Sequence, residues 1–368
     1  MGFICMKIIN IIPYVSNQYG GPPYVAKSLN KLFNKHKFES YLLTVDDKLE
    51  LEESNIVYFK KTTDRFFFSF DFLVNSIKYI KNSDVLYIHG IYTFLSLWSS
   101  IIGLIYKKDI FLLPHGMFDK NSINSSGFIK NIIRNIFVHS IGRFQVIVSK
   151  KIIFNSNKEQ KNSTFSKNSI VIPNGVDLDF INNIRCSKDY FENDKINLFF
   201  LGRVHNIKGI ELLIDSINDL SHSIQKKIKV TIAGNGDVEY VKYLHDKCDS
   251  SVFNFIGHIK GNEKYCYLKQ CDIYIQPSFT EGLSISMLEA MACKVNMITT
   301  NKVGLYEELI EKNAAMVINY NKNELKHAIA RQVRDESDYK ERGYKIVKAE
   351  YSWNMIINSY IKLMKDNK

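Results

Sequence analysis

Short apolar runs rich in β-branched residues recur along the first half of the chain, at 7–12, 41–45, 85–88, 110–113 and 152–154. Continuous apolar runs of this length mark strands buried on both faces, and the stretches between them carry helical periodicity. The pattern predicts a doubly wound, parallel α/β domain. A second series follows at 197–201, 230–233, 252–256, 273–276, 295–299 and 315–318, interleaved with helical stretches such as 210–220 and 324–334. It predicts a second domain of the same class, without sequence repetition between the two.

Between the series, Ile172-Pro173-Asn174-Gly175-Val176-Asp177 and the polar stretch 182–194 combine turn formers with a loss of periodicity, which places a hinge there. The expected organisation is an N-terminal Rossmann-like domain over 1–175, a C-terminal one over 176–350, and a final apolar-periodic helix within 351–368. Two open α/β sheets bind ligands at the carboxyl ends of their strands, so the active site is expected in a cleft where those ends face each other.

Composition adds bounds. A chain of 368 residues with 45% hydrophobic and 24% charged positions is globular and too long for one ordinary core. The longest apolar stretch, 95–106, is shorter than the ~20 residues a spanning helix needs. The N-terminus lacks a basic leader pattern and the six cysteines form no CxxC pair, which predicts free thiols in a reducing cytoplasm. The net charge of +11 is uneven, with 22 Lys and Arg against 14 Asp and Glu in residues 1–180, and 27 against 24 in the rest. That bias suits an anionic partner, and a membrane surface, a nucleic acid and a phosphorylated small molecule all satisfy it.

The richest chemistry lies in Pro277-Ser-Phe-Thr-Glu281-Gly282-Leu283-Ser284-Ile-Ser-Met-Leu-Glu289-Ala-Met-Ala292, where a strand ends in a loop and a helix begins near Ser284. Seven residues separate the two glutamates, so Glu281 in the loop and Glu289 two helical turns on are able to reach one ligand at two depths. The helix N-terminus between them offers free N–H groups to a diphosphate, and Gly282 permits close approach. For either glutamate alone, an acidic first turn or a solvated helix face is the simpler reading.

Several ordered motifs then agree: Asn174-Gly175-Val176-Asp177, Leu201-Gly202-Arg203 with Lys208-Gly209, Ala233-Gly234-Asn-Gly236, and Glu281 with Glu289-Ala-Met-Ala. With these, residues 172–310 resemble glycosyltransferase family 4, the retaining nucleotide-sugar enzymes of GT-B fold. The resemblance implies that Arg203 and Lys208 grip the donor diphosphate and that Gly202, Gly234, Glu281, Gly282, Leu283, Ser284 and Glu289 line the donor site. In the first half it implies that Gly20 and Gly21 approach the donor phosphate, that His115 of Pro114-His115-Gly116 sits by the transferred sugar, and that His89 shapes the acceptor side. It also implies that the terminal helix crosses back onto the first domain. Two cations stabilise a departing diphosphate where other enzymes use a divalent ion, and no metal-ligand spacing or cofactor motif is present, so neither metal nor cofactor is expected. One departure stands out: after Cys293 the family continues with Gly, a variable residue and Pro, whereas this chain has Lys294-Val295-Asn296.

The reaction so implied is hexosyl transfer with retention to a glycan or a polyprenyl-diphosphate-linked acceptor, as in O-antigen, capsule or lipopolysaccharide assembly. Aromatic and aliphatic residues interleave with cations at 65–72 and 128–137, which suits an anionic membrane surface as well as an ordinary core-facing helix. Cytoplasmic placement, peripheral on the inner membrane face, follows from that reading. No nucleic-acid motif accompanies the basic half, so no nucleic-acid partner is expected. The rivals are a non-hydrolysing sugar-nucleotide epimerase and a catalytically silent, glycosyltransferase-like membrane subunit, the latter motivated by Lys294 and Asn296.

Overall fold

The computed structural model describes residues 6–16, 21–46, 55–120, 128–259, 261–334 and 338–366. The chain divides into two units, one of Met1–Asn174 with Ile356–Lys368 and one of Gly175–Met355.

The first unit is built on a parallel sheet of β1 (Lys7–Ile11), β2 (Glu39–Thr44), β3 (Ile56–Tyr58), β4 (Val85–His89), β5 (Asp109–Leu113), β6 (Lys151–Phe154) and β7 (Ser169–Val171). Their order is β3-β2-β1-β4-β5-β6-β7, so the winding reverses between β1 and β4. The inner strands coincide with the apolar runs. Strands β3 and β7 escaped the sequence reading because each is a three-residue edge strand, only partly buried, with too short an apolar run to stand out.

Helix α1 (Gly21–Lys35) starts on Gly-Pro-Pro, where the first-turn N–H groups have no intrahelical acceptor and proline costs nothing. Its Phe33 stacks on Tyr87 of β4 at 5.4 Å between ring centroids, and Tyr87 stacks on Phe111 of β5 at 5.2 Å. Tyr360, in the C-terminal helix (Trp353–Lys365), meets Tyr87 edge-on at 5.7 Å and is fully buried, which is how the chain's last turns join this unit. Helix α2 (Phe94–Ile105) opens with a reciprocal Thr93–Ser96 cap. Helix α3 (Phe128–Phe137) runs through a π-helical turn, Val138–Gly142, into α4 (Arg143–Val148).

The second unit carries β8 (Ile196–Leu201), β9 (Ile228–Ala233), β10 (Phe253–Gly257), β11 (Ile273–Gln276), β12 (Asn296–Thr300) and β13 (Met316–Ile318), all parallel and ordered β10-β9-β8-β11-β12-β13. Here the winding reverses between β8 and β11. Three helices matter below: α5 (Ile210–Asn218), α6 (Glu263–Gln270) and α7 (Ile285–Ala292).

Two expectations meet new facts. The thiols are not all free: Cys186 and Cys266 form a disulfide, while Cys248, Cys271 and Cys293 are free and Cys5 lies outside the described residues. The polar stretch after the boundary packs along α6, with Tyr190 N–H on Gln270 Oε1 at 2.9 Å and Lys269 Nζ on Ile184 O at 2.7 Å, and this brings together cysteines 80 positions apart. The turn after α7 keeps its shape despite lacking glycine. Lys294 adopts a left-handed φ of 58°, its N–H bonds Met291 O at 3.1 Å, and Val295 N–H bonds Ala290 O at 3.3 Å. This is the hydrogen-bond pair of a Schellman termination. Among the described residues, no helix is long and apolar enough to cross a membrane.

Candidate functional site

In the second unit, the loops after β8 and β11 flank the reversal of winding, where open α/β sheets present loop amides and helix N-termini to ligands. After β8 come Gly202, the exposed Arg203, and a 3-10 turn, Asn206–Lys208, closed by Gly209 at φ 71°. A Cβ on Gly209 would lie 1.9 Å from Pro277 O, so only glycine lets this loop touch the one after β11. Phe279 N–H bonds Ile207 O at 2.8 Å across the same seam. The two loops are thus fixed backbone to backbone, and Lys208 Nζ forms an ion pair with the Glu281 carboxylate.

Behind this pair sits Gln276, the buried last residue of β11. Its Oε1 accepts from Tyr274 OH at 2.7 Å and from Ser284 Oγ at 3.1 Å, and its Nε2 lies 3.4 Å from Glu281 Oε2. Ser284 is the N-cap residue of α7, so Gln276 sets the level at which that helix begins. Leu283 has its side chain in the hydrophobic core, which leaves only its main chain for a ligand. Gly282 O accepts from Gly304 N–H at 2.9 Å, and a Cβ on Gly304 would come within 2.7 Å of that oxygen.

Glu289 is buried on α7, where Lys264 Nζ at 2.6 Å and Tyr265 OH at 3.0 Å hold its Oε1. Glu281 and Glu289 therefore have separate partners, Lys208 for one and α6 for the other. Gly234 has φ 146°, and a Cβ there would fall 1.8 Å from Gly202 O, so it is required for the packing of the β8 and β9 loops. His205, between Arg203 and Lys208, has its pKa lowered by desolvation first and then by those two cations.

In the first unit, Gly21 begins α1 and Gly20 lies outside the described residues. His89 ends β4 and His115 follows β5, with Nδ1 of His89 3.0 Å from Nε2 of His115 and the two rings nearly coplanar, 12° apart. Asn10 Nδ2 donates to Ser40 Oγ at 3.2 Å, which turns its Oδ1 toward His89 Nε2 at 3.5 Å. In the tautomer that satisfies both contacts, with the His89 proton on Nε2, His89 Nδ1 accepts from His115 Nε2–H and His115 Nδ1 is left as a lone-pair acceptor. Desolvation pushes His89 well below its ordinary pKa, with the charge of His115 adding to it, and desolvation takes His115 to about 4, so both are neutral near pH 7. His115 itself has φ 50° and Gly116 φ 82°, a turn fixed by Glu159, whose carboxylate accepts from Gly116 N–H at 2.5 Å and Asn155 N–H at 2.8 Å. Burial raises the Glu159 pKa against the effect of those two bonds.

Gln276, Lys264, Tyr265, Glu159 and Asn10 were not singled out from the sequence. A glutamine closing an apolar strand directly before Pro277 was the only local sign of any of them. Among the described residues, no group of His, Cys, Asp and Glu is arranged to hold a metal ion.

Residues 185–349 match the family model described as Glycosyl transferases group 1. An uncharacterised glycosyltransferase of Methanocaldococcus jannaschii is 26% identical over an alignment covering 99% of each chain. The O-antigen biosynthesis glycosyltransferase WclY of Escherichia coli is 24% identical, covering 83% of each. Among solved structures, Anabaena Alr3699/HepE in complex with UDP and glucose superposes with a TM-score of 0.77 at 14% identity, covering 98% of this chain and 99% of the other. The family-model match over 185–349 and the glycosyltransferase relatives support a glycosyltransferase, and the chain shares the two-domain GT-B fold of the solved structures.

Proposed function

We propose that the protein is a retaining, metal-independent hexosyltransferase whose second unit binds a nucleotide-sugar donor. The observation that carries this is the join at the β8/β11 reversal: Arg203 and Lys208 on one loop, Glu281 on the other, and the open N-terminus of α7 just beyond. In that reading the Lys208–Glu281 pair is the resting arrangement. A bound diphosphate takes over Lys208 and Arg203, and Glu281 turns to sugar hydroxyls. Glu289 faces the nucleotide's ribose, with Lys264 and Tyr265 holding its carboxylate.

Transfer breaks the bond between the anomeric carbon and the diphosphate oxygen and forms a bond from the acceptor oxygen on the same face. The acceptor proton passes to the leaving phosphate. Charge grows on the diphosphate as the bond breaks, and two cations in a part-buried site stabilise that charge more than the ground state. A glycan or polyprenyl-diphosphate-linked acceptor is served from the first unit, where His115 offers its Nδ1 lone pair. The likenesses to WclY and to an Anabaena structure holding UDP and glucose favour a sugar nucleotide and surface-glycan assembly. The silent-subunit alternative loses its motive, since the turn at Lys294 keeps its hydrogen bonds.

The test is a thermal-shift screen against UDP-, GDP-, ADP- and dTDP-sugars in EDTA, with Lys208→Ala alongside. Selective stabilisation of the wild type by one nucleotide class is expected, and turnover in Lys208→Ala should fall about 100-fold or more. Stabilisation that appears only with a divalent ion, or wild-type turnover in the variant, overturns the assignment.

A further inference from the structure

Outside the donor and acceptor residues, the most unusual surface of the first unit is an apolar face built by α2, α3 and α4. On the continuous helix formed by α3, the π-turn and α4, Ile133, Ile136, Ser140, Phe144 and Ile147 recur at three- and four-residue spacing and share one side. Ile133, Ile136 and Ile147 are 61%, 64% and 71% exposed. The end of α2 adds the exposed Leu104 and Ile105, and between α2 and α4 runs a groove of about 500 Å³ with Ile101, Ile141 and Phe144 among its walls. Phe66 packs on Phe137 at 5.3 Å, which joins the aromatic segment near residue 66 to this face. A soluble monomer seldom leaves so many large aliphatic side chains together in water.

Charge says what covers it. Residues 91–108 and 128–148 contain not one Asp or Glu, yet they carry Lys107, Lys108, Lys130, Arg134 and Arg143. The nearest carboxylates, Asp64 and Asp109, are already paired with Lys61 and Lys150, and an aliphatic strip with that surplus of cations matches a surface with an apolar interior and an anionic skin. A second copy of the chain fits poorly, since it would bring the same cations face to face in a protein of net charge +11. We infer that this face docks the protein on an anionic phospholipid bilayer, with Ile133, Ile136 and Ile147 entering between headgroups and the flanking cations meeting lipid phosphates. The inference deepens the acceptor side of the proposed function and rests on that reading for its purpose, since a lipid-linked acceptor is met at such a surface. Its test does not depend on catalysis.

The full chain is sedimented with vesicles of zwitterionic phosphatidylcholine and with vesicles containing about one-third phosphatidylglycerol. Binding to the anionic vesicles is expected, at least tenfold tighter than to the zwitterionic ones and weakening as salt is raised. Ile133→Glu/Ile147→Glu and, separately, Lys107→Glu/Arg143→Glu should each weaken it tenfold or more. These positions are exposed, so melting temperature and the response to nucleotide sugars should match the wild type, which keeps this result separate from the donor reading. Equal binding to both vesicle types, no binding at low salt, or unchanged binding by the variants overturns the proposal. So does a concentration-dependent dimer that the isoleucine variant abolishes, which would make the face a contact between copies.

Discussion

His89 and His115 meet edge to edge through ring nitrogens 3.0 Å apart, and the folded chain keeps both neutral far below the ordinary histidine value. In the unfolded chain each takes up its proton near the ordinary histidine value of 6.5, whereas folded His115 resists protonation down to about 4. Between those values the unfolded state binds more protons, so the stability from this pair is fully present above about pH 6.5 and is lost as pH falls toward 4. The slope is at most about 1.4 kcal/mol per pH unit per histidine. Urea unfolding at pH 7 and pH 5 should show a loss in the wild type that His89→Gln/His115→Gln largely removes; an equal loss in both proteins would show that other groups set the pH dependence. At this scale the sequence singled out Arg203, Lys208, Glu281, Glu289 and the two histidines as candidates, because each sits in a recognisable local motif. It was silent on Gln276, Lys264 and Tyr265. Their roles arise from contacts across elements, as when Lys264 on α6 reaches Glu289 on α7, and no local pattern encodes such a pairing.

Among the elements, the termination of α7 is the clearest conflict between local preference and tertiary demand. Lys294 holds φ 58° so that its own N–H and that of Val295 reach Met291 O and Ala290 O, while Asn296 enters β12 and accepts from Tyr339 N–H at 2.9 Å. A side chain in the left-handed region costs about 1 kcal/mol relative to glycine, and the exposed Lys294–Glu341 ion pair offsets little of it. Lys294→Gly should therefore raise stability by about 0.5–1 kcal/mol, partly offset by the freer unfolded chain, with kcat and KM unchanged because the donor loops lie at the other end of α7. A denaturant midpoint that falls would mean that the lysine makes contacts worth more than its strain. The eleven strands that carried long apolar runs were legible, and β3 and β7 were not, since three part-buried residues at a sheet edge leave almost no periodic signal. The Gly209 and Gly234 positions read as family motif in the sequence. Only the structure gives their reason, two loop backbones in contact where a Cβ has no room.

At the scale of the whole molecule, the chain leaves the first unit at Asn174 and returns to it at Ile356. The first unit is therefore complete only when the last turns of the chain are in place, and one side chain shows why. Tyr360 is buried against Tyr87 and Phe33, both of which lie on the central β4 and on α1, so its removal opens a cavity in the middle of that unit's core. Truncating a buried aromatic ring to alanine costs about 3–5 kcal/mol, and the rings that Tyr360 packs against belong to the first unit. Tyr360→Ala should lower hydrogen-exchange protection in β1, β4 and β5 and leave β8, β9 and β11 near wild type. The apolar periodicity of 353–364 was visible in the sequence, but periodicity does not say which sheet a helix joins, and that depends on the partner rings. An equal loss of protection in both sheets would mean that the units unfold as one cooperative block, and the division at Asn174 and Ile356 would then describe geometry without describing stability.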